Sequence, residues 1–228
     1  MNAKRPVSTV AACAVMAALA ASCSSGQPRS EVQPGKSGVG IVAEGCWLTA
    51  QVASGVVLES RGQVVTVAHA IAGATSISVI DDAGAAHPAT LRVLDKDRDL
   101  AVLAVPSLDA PALSLGSSAP GPGALLAWSR SAGVTYDEVS VTKRLLVTIE
   151  DIFVEEIIVR NALEVHGDID SGDSGGAVLS PTGHVLGIIY AQSRSRDDVG
   201  FATDASELKI LLRTMPGLQA TTALVFSW

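Results

Sequence analysis

Short β-branched apolar segments, each closed by glycine or a polar turn, are the feature that most restricts how this 228-residue chain can fold. They fall into two sets. Segments 40–42, 48–58, 63–67, 76–80, 89–94 and 100–105 come first. A Pro/Gly/Ser-rich break at 114–123 separates them from 124–128, 139–148, 156–165, 177–179, 185–191 and 199–202. Such runs, rich in Val and Ile and bounded by Gly, Pro, Asp and Ser, read as strands. Hydrophobic residues make up 48% of the chain but aromatics only 4%, so small aliphatic side chains must fill the interior, as suits many short strands with tight turns. The expected fold is all-β: two six-stranded antiparallel β-barrels with a C-terminal helix. Asp204 and Glu207 form the capping-box pair of that helix, Leu208, Leu211, Leu212 and Met215 follow at helical spacing, and Pro216-Gly217 stops it.

On this scaffold three motifs carry chemistry. Gly172-Asp173-Ser174-Gly175-Gly176 is what a serine nucleophile with its own oxyanion hole needs. A serine hydroxyl attacks a carbonyl only when a base takes its proton and backbone N–H groups face the developing charge. Flanking glycines let the backbone turn and approach a substrate closely. Read alone, the pentapeptide could be a polar turn between strands. It is accompanied by Val64-Val65-Thr66-Val67-Ala68-His69, a β-branched run delivering a histidine at a strand end, and by Asp99-Leu100-Ala101-Val102, an acid leading into another apolar run. The chain order is His, Asp, Ser, as in the chymotrypsin-type triad. With Thr66-Val67-Ala68-His69, Asp99-Leu100-Ala101-Val102, Gly172 to Gly176 and the entry strand Ser54-Gly55-Val56-Val57, the chain resembles the trypsin-like serine peptidases over 39–215, most of all their bacterial HtrA-type branch.

The resemblance implies a site in the crevice between barrels, with His69 and Asp99 from the first and Ser174 from the second. Ser174 would attack the peptide carbonyl, His69 would relay its proton to the leaving amine, and Asp99 would fix the imidazole tautomer. The N–H groups of Gly172 and Ser174 would hold the oxyanion. Asp95 and Asp97 are rivals for the acid role, and the apolar run from Leu100 favours Asp99. His87, His166 and His184 sit in turns or at strand ends and read as structural. The primary pocket should be lined by Asp168 and Asp170 before the nucleophile and by Tyr190, Ala191, Gln192 and Gly200 after it. Asp168 lies where trypsin-like enzymes place the acid that selects Arg or Lys, whereas HtrA-type relatives receive small aliphatic side chains; the second preference is favoured here. Ile41-Val42 reads as a first strand, the alternative being a new N-terminus that pairs with Asp173 after cleavage.

Lys4 and Arg5 followed by an apolar run at 10–21, too short to span a bilayer, read as an export signal over 1–22. Small residues before Cys23 resemble a lipoprotein cleavage site, so Cys23 is the expected lipidation point; an ordinary signal peptide is the alternative. Residues 23–38 are the expected flexible tether, 39–217 the protease domain and 218–228 a short apolar tail. With Cys13 removed and Cys23 acylated, Cys46 has no disulfide partner and reads as a small buried apolar residue. The formal charge is −7, more negative once Lys4 and Arg5 leave, and no basic cluster exists to neutralise phosphates, which argues against nucleic acid. No zinc-type Cys/His spacing occurs and no cofactor is expected. Only 54 residues follow Ser174, so no PDZ-type module is expected. The expected function is an exported serine endopeptidase acting on protein or peptide substrates. A catalytically inactive peptide-binding scaffold on the same fold is the alternative.

Overall fold

The computed structural model describes residues 34–45 and 49–215. The export signal, Cys13, Cys23, Cys46, Pro216-Gly217 and the tail at 218–228 lie outside the described residues. Residues 34–38, expected at the end of the tether, are part of the fold: Pro34–Ser37 forms a 3₁₀ turn with Ser37 buried, and Gly38 begins the first strand.

Thirteen strands and one helix follow in the expected order. The first set comprises β1 (Gly38–Glu44), β2 (Gln51–Val57), β3 (Gln63–Thr66), β4 (Ser76–Ile80), β5 (Ala86–Pro88), β6 (Thr90–Asp95) and β7 (Leu100–Ala104). They pair antiparallel in the order β5-β4-β1-β2-β3-β7-β6. One strand was expected from residue 89, and the structure starts it earlier and breaks it at Ala89. Its first part pairs with β4 and its second with β7. The two edges of the sheet are thus consecutive stretches of one segment, and chain continuity closes the ring. The second set comprises β8 (Gly121–Ser129), β9 (Gly133–Glu150), β10 (Ile157–His166), β11 (Ala177–Leu179), β12 (Val185–Gln192) and β13 (Val199–Asp204). It forms a closed antiparallel barrel, β10-β13-β12-β11-β8-β9. Closure removes the unpaired edges that open sheets must otherwise protect.

The helix α1 (Ala205–Thr214) begins where β13 ends. Asp204 Oδ1 accepts from the Ser206 N–H at 2.7 Å, as an N-cap should. Glu207 does not complete the expected capping box. Its carboxylate instead accepts from Arg98 Nε of the first barrel at 3.0 Å and from Asn161 of β10, at 3.0 Å from the main chain and 2.7 Å from the side chain. Tertiary partners outcompete the local one because the buried carboxylate gains more donors there. Leu208 and Leu211 are buried against a core that runs from Ile41, Val56 and Val102 across the barrel interface through Leu126, Ala177 and Ile188. A second cluster, including Leu125, Leu163, Ile169 and Ile189, fills the closed barrel. β1 is flanked on both sides by partners, and Ile41 is fully buried. This agrees with the first-strand reading.

Candidate active site

His69 leaves the end of β3, and Asp99 stands immediately before β7, which pairs with β3. Adjacent strands therefore bring together two residues thirty positions apart. Asp99 accepts twice from His69: Oδ2 is 2.7 Å from Nδ1, and Oδ1 is 2.9 Å from the backbone N–H. With both oxygens engaged, the imidazole is oriented so that Nε2 is left for another partner. Asp99 is 5% exposed and its backbone is left-handed, φ +51°. That conformation costs on the order of 1 kcal/mol outside glycine and persists only where the surroundings impose it. The rival acids are occupied elsewhere. Asp95 caps the turn by accepting from the N–H groups of Asp97 and Arg98 and pairs with the Arg98 guanidinium at 2.9 Å. Burial works against the charge of Arg98, yet Asp95 and Glu207 more than offset it and raise its pKa. Asp97 faces Lys96 rather than His69.

The nucleophile loop comes from the other barrel. Ser171–Asp173 makes a 3₁₀ turn, closed by Asp173 N–H to Asp170 O at 3.0 Å and followed by Gly176 N–H to Asp173 O at 2.7 Å. Among the described residues, neither the Gly172 nor the Ser174 N–H donates to another group. Gly175 has φ +89°, and a Cβ there would lie 1.9 Å from Ser54 O and 2.6 Å from Thr66 Oγ1. Only glycine lets the loop press against the first barrel this closely. Ser54 N–H donates to Ser174 O at 2.8 Å, and Thr66 Oγ1 donates to Ser54 O at 2.7 Å. Two hydrogen bonds thus connect the Ser174 backbone to β3, the strand that leads into His69. The Ser54 hydroxyl, fully buried, accepts from Trp128 N–H at 2.8 Å and stands 3.2 Å from the Gly172 carbonyl. Among the described residues, neither His69 Nε2 nor the Ser174 hydroxyl has a hydrogen-bond partner. Free active sites commonly tighten the Ser–His contact only around substrate.

Of the expected pocket residues, Gly200 and Ala191 come together. A Cβ on Gly200 would meet Ile169 Cδ1 at 2.8 Å and Ala191 O at 3.2 Å. Ile169, in the same pocket-lining segment, is fully buried between exposed Asp168 and Asp170. Alternation along an extended segment could have revealed it, because successive side chains point to opposite sides. Gln192 is exposed. Tyr190 turns elsewhere: it is the extra residue at a register shift between β12 and β13, and its ring lies under Arg160, with the guanidinium carbon 4.3 Å from the centroid. Burial pushes the Tyr190 hydroxyl pKa up; Arg160 opposes this and the Asp99 charge adds to it. Burial also lifts the Asp173 carboxyl above its ordinary range, opposed by the Asp170 N–H and reinforced by the charges of Asp170, Asp137 and Asp168.

The remaining histidines have partners away from the His69–Asp99 pair. His87 bridges Asp81 at 2.9 Å and Ser107 at 3.1 Å, His166 pairs with Asp198 at 2.7 Å, and His184 bonds Thr182 at 3.0 Å. Asp97, Asp151 and Glu156 have carboxylate oxygens within 4.8 Å of one another, and the Lys96 ammonium already sits among them, 2.5 Å from Asp151 and 3.3 Å from Glu156.

A paired histidine and aspartate on one barrel, with a glycine-flanked serine loop of the second bonded to it, are the construction of trypsin-like peptidases. The chain belongs to the trypsin-like peptidase domain family, whose model matches residues 53–188. It is 29% identical over 154 residues to the serine protease Rv3671c of Mycobacterium tuberculosis H37Rv, covering 65% of this chain and 38% of that protein. It is 28% identical over 198 residues to the serine protease Do-like HtrA of Lactococcus lactis subsp. cremoris, covering 78% and 48%. The chain therefore spans less than half the length of these curated relatives. The crystal structure of the Rv3671c protease in its active form superposes with a TM-score of 0.76 at 25% identity, covering 83% of this chain and 85% of that one. The HtrA-type protease AlgW, solved with a tripeptide, shares the fold at a TM-score of 0.67 and 24% identity, covering 79% and 60%.

Proposed function

We propose that the chain is an exported serine endopeptidase that cleaves peptide bonds through His69, Asp99 and Ser174. The observation that carries this reading is the doubly bonded His69–Asp99 pair beside a serine loop bonded to the same barrel. Ser174 Oγ attacks the peptide carbonyl carbon as His69 Nε2 takes its proton. The Gly172 and Ser174 N–H groups receive the oxyanion, a contribution of about 10²–10³ in rate per donor. The imidazolium, stabilised by Asp99, then protonates the departing amine. Water attacks the acyl-enzyme by the same route in reverse and restores the serine.

The primary pocket accepts a small or medium apolar side chain. Its support is Ile169, buried beside Gly200, while Asp168 and Asp170 are exposed. Cys23 carries a lipid anchor that holds the enzyme at the cell envelope, the sequence 1–23 being the support. At about 0.8 kcal/mol per buried CH₂, two or more acyl chains suffice for stable attachment.

The test is labelling by a fluorophosphonate probe together with cleavage of a peptide library. Labelling and cleavage that both disappear in Ser174→Ala bear the reading out, and library products ending in Arg or Lys would refute the apolar pocket. A native chain that takes no label is the inactive scaffold instead. Membrane fractionation of Cys23→Ala addresses the anchor: an unchanged membrane fraction removes it.

A further inference from the structure

Among the described residues Arg160 is the buried cation, 4% exposed, and the proposed chemistry has no use for it. A guanidinium taken out of water is costly unless it is paired. Its Nε has no hydrogen-bond partner, and no carboxylate lies within ion-pair distance among the described residues. What it has is the Tyr190 ring beneath it and one acceptor: Nη1 donates to Asp97 O at 3.1 Å. That carbonyl is one of three in succession held from the other barrel. Ile152 N–H, at the tip between β9 and β10, donates to Lys96 O at 3.3 Å. Thr203 Oγ1 of β13, fully buried, donates to Arg98 O at 3.2 Å. The next residue is Asp99, with its left-handed backbone. The peptides leading into the first barrel's acid are thus hydrogen-bonded by donors from the second.

We infer that Arg160, with Thr203 beside it, is a positioning residue for the acid: it anchors the peptides before Asp99 so that both carboxylate oxygens stay on His69. The role rests on the triad proposed above and on no substrate contact by Arg160. The shift of register at Tyr190 serves the same end. A β-bulge re-aims one side chain out of its ladder, and here it supplies the aromatic face over which the guanidinium sits.

The test is a double-mutant cycle on the full chain. Arg160→Met lowers kcat by about tenfold or more with KM within about twofold, since an ångström of misplacement can cost about a hundredfold. Arg160→Lys, which keeps one donor and the charge, recovers part of the loss. Asp99→Asn alone costs about 10⁴ in kcat. On that background Arg160→Met has no further effect if it acts through Asp99; equal losses on both backgrounds would overturn the role, as would a lower melting temperature with kcat untouched. Thr203→Val keeps the side-chain shape, so it carries the test if Arg160→Met does not fold, and an unchanged kcat in Thr203→Val refutes the shared anchoring. One readout is independent of turnover. In Ser174→Ala protein the far-downfield proton resonance of the His69–Asp99 hydrogen bond should be present, and it should be lost when Arg160→Met is added. If that resonance behaves as expected but the unaltered chain takes no fluorophosphonate, the peptidase reading fails and the anchoring stands. If it survives Arg160→Met, the anchoring fails.

Discussion

Gly175 shows how little freedom the site leaves to a single residue. A methyl group there meets the Ser54 carbonyl at 1.9 Å, and the left-handed backbone disfavours any side chain in addition. Gly175→Ala should cost about 2–4 kcal/mol, combining overpacking with backbone strain. Urea denaturation measures it, and a loss below about 1 kcal/mol would contradict the close approach. Glu164 provides a second case. The Arg196 hydrogen bond, with help from Thr142 and the Arg196 and Lys143 charges, holds its pKa at about 2 against the opposing effect of burial. A depressed carboxyl stabilises the fold above its unfolded pKa, and the gain fades as pH falls through the folded value. Arg196→Gln should therefore be most destabilising near neutral pH and approach the unaltered protein as pH drops from about 4.5 toward 2. Melting temperatures across that range test it; a difference independent of pH would point to lost packing instead. Asp99 could be picked from three nearby acids because an apolar strand follows it directly. Ser54 and Arg160 could not be, since their roles lie in contacts that no local pattern announces.

Elements repeat the point in their boundaries. Strand positions were legible because β-branched runs between glycines have few alternatives. The break at Ala89 was not, because it arises where one segment changes partners from β4 to β7. At the start of α1 the local signal was half right. Asp204 caps the helix, whereas Glu207 joins Arg98 to Asn161. The cap has partners of its own: Arg144 Nε lies 2.9 Å from Asp204 Oδ2, and the Ser118 hydroxyl donates to the same oxygen. Burial would raise the Asp204 pKa, but these donors outweigh it and hold the carboxyl low. Asp204→Ala should cost about 2 kcal/mol, more than an exposed cap, because buried donors lose their acceptor as well. A loss of only a few tenths in thermal denaturation would mean that Arg144 and Ser118 find water instead.

Over the whole molecule the two barrels behave as one body. One apolar cluster runs from the first barrel through Leu126 and Ile188 to Leu208 and Leu211. Each barrel also holds the other's part of the site, with Ser54 on the serine loop and Arg160 and Thr203 on the acid loop. Loss of Ser174 labelling and loss of far-UV signal should therefore share one urea midpoint, as two-state unfolding requires. Labelling that vanishes at a lower midpoint would show that the barrels part before they melt. The donors to the acid loop sit on segments near residues 152, 160 and 203, far downstream of His69 and Asp99. Chains leave the ribosome N-terminal end first. On the proposed reading, a half-made molecule therefore carries an idle imidazole and an unguided carboxylate, and cleavage waits until the chain has supplied both Ser174 and the Thr203 donor of β13.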